Sequence, residues 1–455
     1  MKEYEVVVIG SGCGMNIVNA ALARGTEAAL IDKGPLGGTC PNLGCIPSKM
    51  LIFAADRISE IQEAKKLGIT AEIKNVDFKF IMEHMRKSVR EEQVHMRKEL
   101  KYIEKLDFYE GEGHFTDENT LEVNGEQIKG KKIFIATGSR PLIPALTGLD
   151  TAGYLTNETV LQLKERPESL IIIGGGYIAV EYGHFFAAVG TKVTILEMAD
   201  RLVNAEEPEI SQLLEKELGK RMYVNTRVKV EEIKKTGSDA VVVVSDIKSG
   251  DKKEYTAQRV LLATGRVPNT DRLAVEKAGI ETNEKGYIRT NEFLETTRKN
   301  IYAVGDVNGE QLFTHAANRE SVIAAHNALH GSKMKMDYSA TPRAVFSRPQ
   351  IASVGMREEE AKKTHKILVG RAKYSDVAQG EAMMDESSFA KAIVEVDSEK
   401  ILGFHVIGPY APIIIQEVVN VMAAGGNVNH LEAGMHIHPS ITELVMKTMD
   451  NLEEP

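Results

Sequence analysis

The sequence predicts an α/β protein with two Rossmann-like dinucleotide-binding domains and a C-terminal α+β domain. A β-loop-α-β pattern with clustered glycines runs from Glu5 to Asp32, and the same order of segments returns from Leu170 to Glu197. After Met336 the pattern changes to β-type runs followed by helical stretches, which indicates a separate domain. The 455 residues are sufficient for about three domains.

Composition and charge restrict the class of protein. Apolar residues make up 43% and charged residues 27% of the chain, which is typical of a globular protein and excludes a disordered or collagen-like chain. The net charge of −9 creates no overall attraction for nucleic acid, so we expect no such partner. No apolar run approaches the roughly 18 residues of a membrane helix, and no signal-peptide pattern precedes the first strand-like run. We therefore expect a cytoplasmic protein without membrane association.

The first glycine loop follows the first strand-like run. It contains Gly10, Gly12 and Gly14, and Asp32 ends the second strand. This arrangement is typical of a tight turn that presents bare backbone at a helix N-terminus to a pyrophosphate, with the acid on the ribose hydroxyls. The sixth position of the G-x-G-x-x-G pattern is Met15, so we expect a wider crossing of helix and strand or an outward-turned side chain.

The second glycine loop matches the G-x-G-x-x-G/A pattern with Gly174, Gly176 and Ala179, and Glu197 ends the next strand. A glutamate in that position accepts hydrogen bonds from ribose hydroxyls and repels a 2′-phosphate, so NAD is favoured over NADP. Arg201 keeps NADP open as an alternative. Two loops indicate two dinucleotides, although one copy could instead be structural.

Two further patterns lie between and after the loops. A strand that ends in Ala-Thr-Gly occurs as KKIFIATGSRP at 131–141 and again as QRVLLATGRVPN at 258–269. Between 58 and 106, dense charge with helical apolar spacing predicts exposed amphipathic helices.

The string GGTCPNLGCIPSK at 37–49 contains Cys40 and Cys45. On a regular helix their side chains would point apart, but the flanking glycines and prolines predict an irregular turn in which a disulfide is feasible. A zinc site and two ordinary core thiols are the alternatives. We favour a redox-active pair and predict no metal, because the remaining Cys13 lies inside the first glycine loop.

The string HIHPSITE at 436–443 places His438 before Pro439 and five residues before Glu443. If a helix begins near Pro439, the Glu443 carboxylate can return to the imidazole and leave the other ring nitrogen free to move protons. The alternative is that His436 and His438 are ordinary surface histidines. The cysteine pair favours the first interpretation, because a thiol in disulfide exchange needs a proton acceptor.

Together, GGTCPNLGCIPSK, HIHPSITE, the glycine loops, ATGSRP and IYAVGDV resemble the flavin-dependent pyridine nucleotide-disulfide oxidoreductases over essentially the whole chain. The resemblance implies an FAD-binding domain at 1–147 that is interrupted by an NAD-binding domain at 148–267. It resumes as a central continuation at 268–335 and is followed by a dimerisation domain at 336–455. The resemblance also implies a homodimer with a composite active site, because in this family the histidine comes from the other subunit.

The resemblance assigns roles to the reactive residues. It makes Cys45 the thiolate that contacts the flavin, Cys40 the interchange thiol that meets the substrate, and His438 the general base for Cys40, held by Glu443. Further residues would be the ion pair beside the reactive flavin nitrogen (Lys49 and Glu181) and the aromatic gate of the nicotinamide pocket (Tyr177). The implied FAD- and NAD-binding residues are Gly10, Gly12, Gly14, Asp32, Lys33, Gly38, Thr39, Lys49, Thr137, Gly138, Ser139, Gly305, Asp306, His315, Ala316, Gly174, Gly176, Tyr177, Ile178, Glu197 and Gly265.

The resemblance is less decisive about the substrate. Mercuric reductases and large thioredoxin reductases are disfavoured, because their additional C-terminal cysteines have no counterpart after Cys45. CIPSK, HIHPSITE and Glu197 favour the dihydrolipoyl dehydrogenases, which oxidise dihydrolipoamide with NAD and serve 2-oxoacid dehydrogenase complexes. Met15 and the charged segment at 86–105 favour the mycothione reductases, which reduce a low-molecular-weight disulfide. A non-enzymatic flavoprotein that acts as a redox sensor or scaffold is the alternative from another class.

Overall fold

The computed structural model describes residues 1–455. In chain order the strands are β1 (Lys2–Ile9), β2 (Ala28–Asp32), β3 (Leu106–Glu110), β4 (Gly113–Asp117), β5 (Thr120–Val123), β6 (Glu126–Ile135), β7 (Ser139–Pro141), β8 (Ser169–Ile173), β9 (Lys192–Leu196), β10 (Tyr223–Asn225), β11 (Val228–Thr236), β12 (Asp239–Asp246), β13 (Lys252–Ala257), β14 (Arg259–Leu262), β15 (Arg266–Pro268), β16 (Ile301–Ala303), β17 (Pro342–Val345), β18 (Ile351–Gly355), β19 (Ile367–Lys373), β20 (Phe389–Glu395) and β21 (Ile401–Ile407).

The α-helices are α1 (Gly14–Leu22), α2 (Thr39–Leu43), α3 (Cys45–Glu63), α4 (Phe78–Leu100), α5 (Leu149–Ala152), α6 (Tyr177–Ala188), α7 (Pro208–Leu218), α8 (Thr314–Leu329), α9 (Glu358–Ala361), α10 (Ala378–Ala382), α11 (Ala411–Ala423), α12 (Val428–Glu432) and α13 (Glu443–Asp450). Short 3-10 helices lie at Ala64–Leu67, Val160–Gln162, Thr270–Arg272, Val275–Ala278, Gly305–Val307 and Tyr374–Asp376. None of the helices combines the length and apolar character that crossing a lipid bilayer requires.

The chain forms two compact units, each made of three segments. Unit 1 contains Met1–Ser48, Glu83–Leu142 and Gly265–Tyr338. Unit 2 contains Lys49–Met82, Ile143–Thr264 and Ser339–Pro455.

Unit 1 is built on a sheet in the order β3-β2-β1-β6-β5-β4, with β16 beside β6. Strands β3, β2, β1, β6 and β16 are parallel, whereas β4, β5 and β6 pair in antiparallel fashion. Val6, Val7 and Val8 of β1 are completely buried, as expected for a strand covered on both faces. The first glycine loop therefore begins at the carboxyl end of a fully covered strand, where nucleotide sites of such sheets lie.

Unit 2 contains a second parallel sheet in the order β10-β9-β8-β14, together with the antiparallel strands β11-β12-β13. Its C-terminal part is an antiparallel sheet in the order β17-β18-β21-β20-β19. Helices α11, α12 and α13 pack on that sheet around buried residues such as Phe404, Ile414 and Leu444. The predicted pair of Rossmann-like domains and the C-terminal α+β domain are thus confirmed.

The charged stretch in the first part of the chain and the C-terminal stretch are both helical. The charged stretch between 58 and 106 does form helices, namely the end of α3 and all of α4. The last helix begins at Glu443, after Pro439. The Glu443 carboxylate accepts a hydrogen bond from the Ser440 amide at 3.0 Å, which fixes the preceding residues as a turn.

Candidate active site

The first glycine loop has no room for side chains where it meets the sheet. Gly10 has a φ of +100°, and a Cβ atom there would lie 2.3 Å from the carbonyl oxygen of Ala136. Gly14 begins α1, and a Cβ atom on it would lie 2.7 Å from Cγ1 of Val8. Gly14 therefore permits the close approach of helix and strand at the start of α1, and the side chain of Met15 is half-buried.

A second loop passes over the first. Gly38 has a φ of +72°, and a Cβ atom on it would lie 3.0 Å from Cα of Gly12, so the two backbones are in contact. Asp32 holds both loops, because its carboxylate accepts hydrogen bonds from the amides of Ser11 at 2.5 Å and Gly34 at 2.6 Å. A carboxylate has about four acceptor sites, so Asp32 can still accept ribose hydroxyls.

The other residues predicted near this loop differ in exposure. Thr39 is half-buried as the first residue of α2, and Ala316 is buried in the first turn of α8. His315, beside Ala316, is exposed. Lys33 is also exposed, and its ammonium pairs with Glu112 at 3.1 Å.

The Ala-Thr-Gly segment at 136–138 and the predicted Gly305-Asp306 pair meet in unit 1. The Ser139 hydroxyl hydrogen-bonds the Asp306 carboxylate, and Arg266 Nε donates to the same hydroxyl at 2.7 Å. The hydroxyl of Thr137 is buried without a hydrogen-bond partner, which costs free energy unless a ligand supplies one. The bare glycine backbone and this unsatisfied hydroxyl fit a bound dinucleotide.

Two more predicted glycines flank the paired strands β7 and β15. Gly138 and Gly265 have φ values of +64° and +115°, and the Leu142 amide donates to the Gly265 carbonyl at 2.9 Å. Gly265 belongs to unit 1, whereas the second glycine loop belongs to unit 2.

Sequence reasoning missed Glu320, a buried residue of α8. Its carboxylate accepts hydrogen bonds from the Gly305 amide at 2.6 Å, Asn308 at 2.9 Å and the Tyr338 hydroxyl at 2.8 Å. Burial raises the pKa of Glu320 to about 7, although these hydrogen bonds oppose the rise. Burial also raises the pKa of the nearby Cys13 thiol to about 12, so this cysteine stays protonated. No local signal in the sequence separates Glu320 from a glutamate on a solvated helix face.

The cysteine pair lies on either side of a helix break. Cys40 is a half-buried residue of α2, and Cys45 is the exposed first residue of α3. Gly44, between the helices, has φ −140° and ψ −113°, which is not helical. The predicted irregular turn is therefore confirmed. The N-terminal position of Cys45 in a 19-residue helix favours its thiolate, and its sulfur lies 3.5 Å from the Thr314 hydroxyl.

The loop that carries Cys40 is held by two amides that sequence reasoning also missed. Buried Asn42 donates to the carbonyls of Leu36 at 2.8 Å and Gly38 at 2.7 Å. Gln93 of α4 donates to the Leu36 carbonyl at 2.7 Å and to Asn42 Oδ1 at 2.6 Å. Asn42, between a proline and a glycine, could have been identified as a turn residue, but nothing in the sequence marks Gln93.

The second glycine loop repeats the turn of the first one in unit 2. Gly174 has a φ of +109°, and a Cβ atom there would lie 2.3 Å from the carbonyl oxygen of Ala263. Gly176 precedes α6 and has open space where a Cβ atom would stand. Glu197 directly follows β9, and its carboxylate accepts the Ala199 amide at 2.5 Å.

Around this loop, Tyr177 and Ile178 are half-buried in the first turn of α6. Arg201 donates to the carbonyl of Asn204 at 3.2 Å, but its Nε is buried without a hydrogen-bond partner. A guanidinium with an unused donor can bind a phosphate, so Arg201 keeps NADP, with its 2′-phosphate, as an alternative to NAD.

Lys49 and Glu181 form the predicted ion pair. Their N–O distance is 2.7 Å, and the side chain of Glu181 is only 5% exposed. Glu181 also accepts the Phe346 amide at 2.9 Å, and the Lys49 ammonium lies 4.8 Å from the centre of the Phe346 ring. The carboxylate is thus fixed by a charged donor and a backbone donor.

His438 and Glu443 are also in contact. Nδ1 of His438 lies 2.8 Å from Glu443 Oε1, while the histidine side chain is 73% exposed. The Ser440 amide and the contact with His438 lower the pKa of Glu443, so the carboxylate stays ionised and orients the ring. This arrangement leaves Nε2 of His438 for proton exchange. His436 instead pairs with Glu417 at 3.3 Å.

One group of acidic side chains resembles a metal site. Carboxylate oxygens of Glu207, Glu209 and Glu358 lie within 4.8 Å of one another. The ammonium of Lys391 contacts them at 2.8, 2.7 and 2.7 Å, respectively. The cluster is therefore a buried ion-pair network around a lysine.

Two protein-family models match almost the whole chain. A model described as pyridine nucleotide-disulphide oxidoreductase matches residues 4–330, and a model for the dimerisation domain of the same group matches residues 341–449. The chain belongs to the pyridine nucleotide-disulphide oxidoreductase family. The family resemblance derived from the motifs is confirmed.

Relatives within this family differ in activity. The chain is 35% identical to a dihydrolipoyl dehydrogenase of Geobacillus stearothermophilus, covering 98% of this chain and 96% of that protein. It is 32% identical to a mercuric reductase of Staphylococcus aureus (94% and 79% covered) and 32% identical to a mycothione reductase of Mycobacterium tuberculosis (98% of each). Its structure is similar to the HOCl-induced flavoprotein disulfide reductase RclA from Escherichia coli, with a TM-score of 0.87, 30% identity, and 98% and 99% of the chains covered.

Membership of this family establishes the general chemistry of the protein. The protein is a flavoprotein oxidoreductase of a family that acts on disulfides, and its cofactors are FAD and a nicotinamide nucleotide. It carries the family's dimerisation domain. The chain is similarly identical to relatives that act on different substrates.

Proposed function

We propose that the protein is an NAD-linked dihydrolipoyl dehydrogenase, which converts dihydrolipoamide and NAD to lipoamide and NADH through a Cys40–Cys45 disulfide. The arrangement of the two cysteines carries the proposal. A half-buried thiol and an exposed thiol are separated by the non-helical Gly44, and the second begins a long helix that stabilises a thiolate. The Lys49–Glu181 and His438–Glu443 pairs supply the charged partners expected of such a centre.

The proposed reaction balances through two thiol exchanges. A substrate thiolate attacks the Cys40 sulfur, breaks the Cys40–Cys45 bond and releases the Cys45 thiolate. The second substrate thiolate then displaces Cys40, which closes the lipoamide disulfide. His438 takes up a proton during the exchange, and Glu443 stabilises the resulting imidazolium. FAD, when bound, carries the two electrons from the thiolates to NAD, so that NADH and one proton are released.

The proposal includes a homodimer in which His438 of one subunit acts at Cys40 of the other. The segment before His438 exposes Met435 and Ile437, which are 101% and 77% exposed. Apolar side chains with such exposure are favourable places for another chain to cover. The matched dimerisation domain supports the same arrangement. The proposal also places the protein in the cytoplasm, where thiols are kept reduced, and makes a 2-oxoacid dehydrogenase complex a possible assembly.

A reductase of a low-molecular-weight disulfide, similar to mycothione reductase, is the second candidate. It is favoured by the match to a mycothione reductase over 98% of both chains, at nearly the same identity as the dihydrolipoyl dehydrogenase. Arg201, with its unused Nε donor, also suits a reductase that draws electrons from NADPH.

A turnover panel on the FAD-loaded protein distinguishes these functions. We expect dihydrolipoamide with NAD to react at least about tenfold faster than any reductase assay with NADH or NADPH, a difference of about 1.4 kcal/mol in transition-state free energy. The reductase assays use mycothiol, glutathione and coenzyme A disulfides, with Cu(II) and Hg(II) as metal acceptors. Faster reduction of one of these acceptors would replace the first proposal, and inactivity with all of them would favour a sensor or scaffold.

The Cys40→Ser variant tests the separate roles of the cysteines. We expect it to lose disulfide exchange while it still passes electrons from NADH to an artificial acceptor such as ferricyanide. The flavin content and artificial-acceptor rate serve as the control for folding. Equal loss of both activities in a protein that retains FAD would refute this division of roles.

A further inference from the structure

One face of α3 carries three charged residues at intervals of seven, namely Lys49, Asp56 and Glu63. Residues seven apart lie two turns apart on the same helix face. All three are paired with groups from other segments of unit 2. Lys49 pairs with Glu181, as described above. Asp56 lies 2.9 Å from Nε2 of His184, and Glu63 accepts two hydrogen bonds from the guanidinium of Arg348 at 2.9 and 2.5 Å.

The middle pair contains an unusual histidine. His184 lies on α6, three residues after Glu181, and its side chain is completely buried. Its Nδ1 lies 3.0 Å from a guanidinium nitrogen of Arg221, whose other terminal nitrogen donates to the Arg348 carbonyl at 2.5 Å. A guanidinium can only donate, so Nδ1 must accept and the ring proton must be on Nε2, where it is donated to Asp56. His184 is therefore a neutral bridge between a cation and an anion.

The groups that face His184 oppose a second proton. Burial lowers the pKa of His184, Asp56 works in the opposite direction, and Arg221 and Arg348 lower it further. Glu63 lies beside the two arginines, and Glu181 stands one turn earlier on α6. A proton on Nδ1 would point at the Arg221 donors and break that contact. When the pH falls through the lowered pKa of His184, the protein therefore loses part of the folding stability that it has at neutral pH.

We propose that His184 is a positioning residue whose neutral imidazole fixes α3 against α6 and thereby holds the Lys49–Glu181 ion pair in place. Both contacts join the same two helices, so a rotation or shift of α3 that breaks the Asp56 contact also displaces Lys49. Buried polar pairs are better suited to fixing such a register than to adding stability. The proposal rests on the proposed function and on the family resemblance, which implies that Lys49 and Glu181 lie beside the reactive flavin nitrogen.

Two substitutions test the role of the bridge. His184→Leu has a similar volume but neither donor nor acceptor, and we expect it to slow flavin reduction by NADH by about tenfold or more, since small displacements at a reacting centre have effects of this size. His184→Gln keeps one donor and one acceptor but cannot gain a proton. We expect it to retain a rate within about threefold of the natural protein at pH 8, because the bridge to Asp56 and Arg221 is preserved.

The pH profile separates positioning from simple packing. In the natural protein we expect the rate of flavin reduction in stopped-flow experiments to fall as the pH decreases below neutrality through the lowered pKa of His184, because the imidazole gains its second proton. In His184→Gln this acid limb should be absent. An identical acid limb in both proteins, or an unchanged rate in His184→Leu, would overturn the proposal.

Hydrogen exchange provides a readout that does not depend on activity. We expect the amides of residues 49–63 to exchange faster in His184→Leu than in His184→Gln or the natural protein, with or without FAD. Unchanged exchange would also overturn the proposal. Failure of the natural protein to reduce its flavin with NADH at any pH would instead refute the proposed function, and the exchange experiment would still decide the role of His184.

Discussion

The two glycine loops share one turn but have different surroundings. Gly10 and Gly174 both have a positive φ, and a Cβ atom on either would lie 2.3 Å from a carbonyl oxygen of a neighbouring strand segment. Beyond the turn the loops diverge. The backbone of Gly38 lies against Gly12 in the first loop, whereas the Cβ position of Gly176 in the second loop faces open space. The same local turn is therefore followed by a backbone contact at Gly12 in the first loop and by open space at Gly176 in the second.

The cover of the first loop is itself held in place. Asn42 and Gln93 fix the segment that contains Gly38, and Met96 of α4 would lie 3.0 Å from a Cβ atom on Gly37. Around the second loop, Glu197 is fixed mainly by the backbone next to it. We propose that this difference reflects a resident FAD in the first loop and a nicotinamide nucleotide that binds and leaves in the second. A glycine motif alone cannot distinguish these two uses.

Matched substitutions at the two turns should have the largest effects. Gly10→Ala should yield protein without FAD and without activity, because the methyl group meets a carbonyl and the left-handed backbone adds about 1–2 kcal/mol of strain. Gly174→Ala should retain FAD and its reaction with dithiols, but its KM for NAD should rise by about 100-fold, which corresponds to about 3 kcal/mol. Flavin absorbance per chain and steady-state kinetics measure both effects.

Gly237→Ala provides the control for this pair. Gly237 also has a positive φ, of +61°, but a Cβ atom there has nothing within 4 Å. We expect it to retain both FAD and the KM for NAD. Equal loss of FAD in Gly10→Ala and Gly174→Ala would contradict the distinction between the loops.

Glu197→Arg should have an intermediate effect, confined to the second loop. Replacing the acid by a cation removes the repulsion of a 2′-phosphate, so the preference for NADPH over NADH in kcat/KM should increase by about 10- to 100-fold, or roughly 1.4–3 kcal/mol. Glu254→Arg on the exposed strand β13 makes the same charge change elsewhere in unit 2. An unchanged cofactor ratio in Glu197→Arg would mean that Glu197 does not face the ribose.

Glu320→Gln should have the smallest effect on catalysis, because it changes the stability of the first site and leaves the second loop untouched. The pKa of Glu320 is raised to about 7 from an ordinary value of 4.5, so its contribution to stability is complete below pH 4.5 and is lost as the pH rises through 7. The uncharged glutamine should therefore gain stability relative to the natural protein between pH 5 and 8, by up to about 3 kcal/mol. The KM for NAD should not change.

Urea unfolding of the FAD-loaded protein at pH 5 and at pH 8 measures this difference in the free energy of unfolding. Glu310→Gln, an exposed substitution in the same region, serves as the control. If the difference in free energy of unfolding between Glu320→Gln and the natural protein stays constant from pH 5 to 8, Glu320 does not titrate in this range.

The elements that the sequence predicts correctly are those encoded by local patterns. The buried run Val6–Ile9 and the glycines of both loops can be interpreted within a single β-loop-α-β segment. The last helix, α13, is one of the helical stretches expected after Met336. Its exact first residue depends on the hydrogen bond between the Ser440 amide and the Glu443 carboxylate, which the apolar pattern does not specify.

In the candidate active site, too, residues that depend on contacts between distant positions could not be found from local patterns. Lys49 and Glu181 were identified only through the family resemblance, because the two residues are 132 positions apart. Glu320, Gln93 and His184 were missed, since each acquires its importance from a partner brought near by folding. His184 and Asp56, for example, are separated by 128 positions. Their spacing in the sequence contains no signal of the contact.

The most direct test of the central claim is a thiol count on the FAD-loaded protein before and after anaerobic reduction with NADH. The chain has three cysteines. If Cys40 and Cys45 form the redox disulfide, alkylation after denaturation should label one thiol per chain, Cys13, in the oxidised protein. It should label all three in the reduced protein. An equal count in both states would contradict a disulfide as the reaction centre.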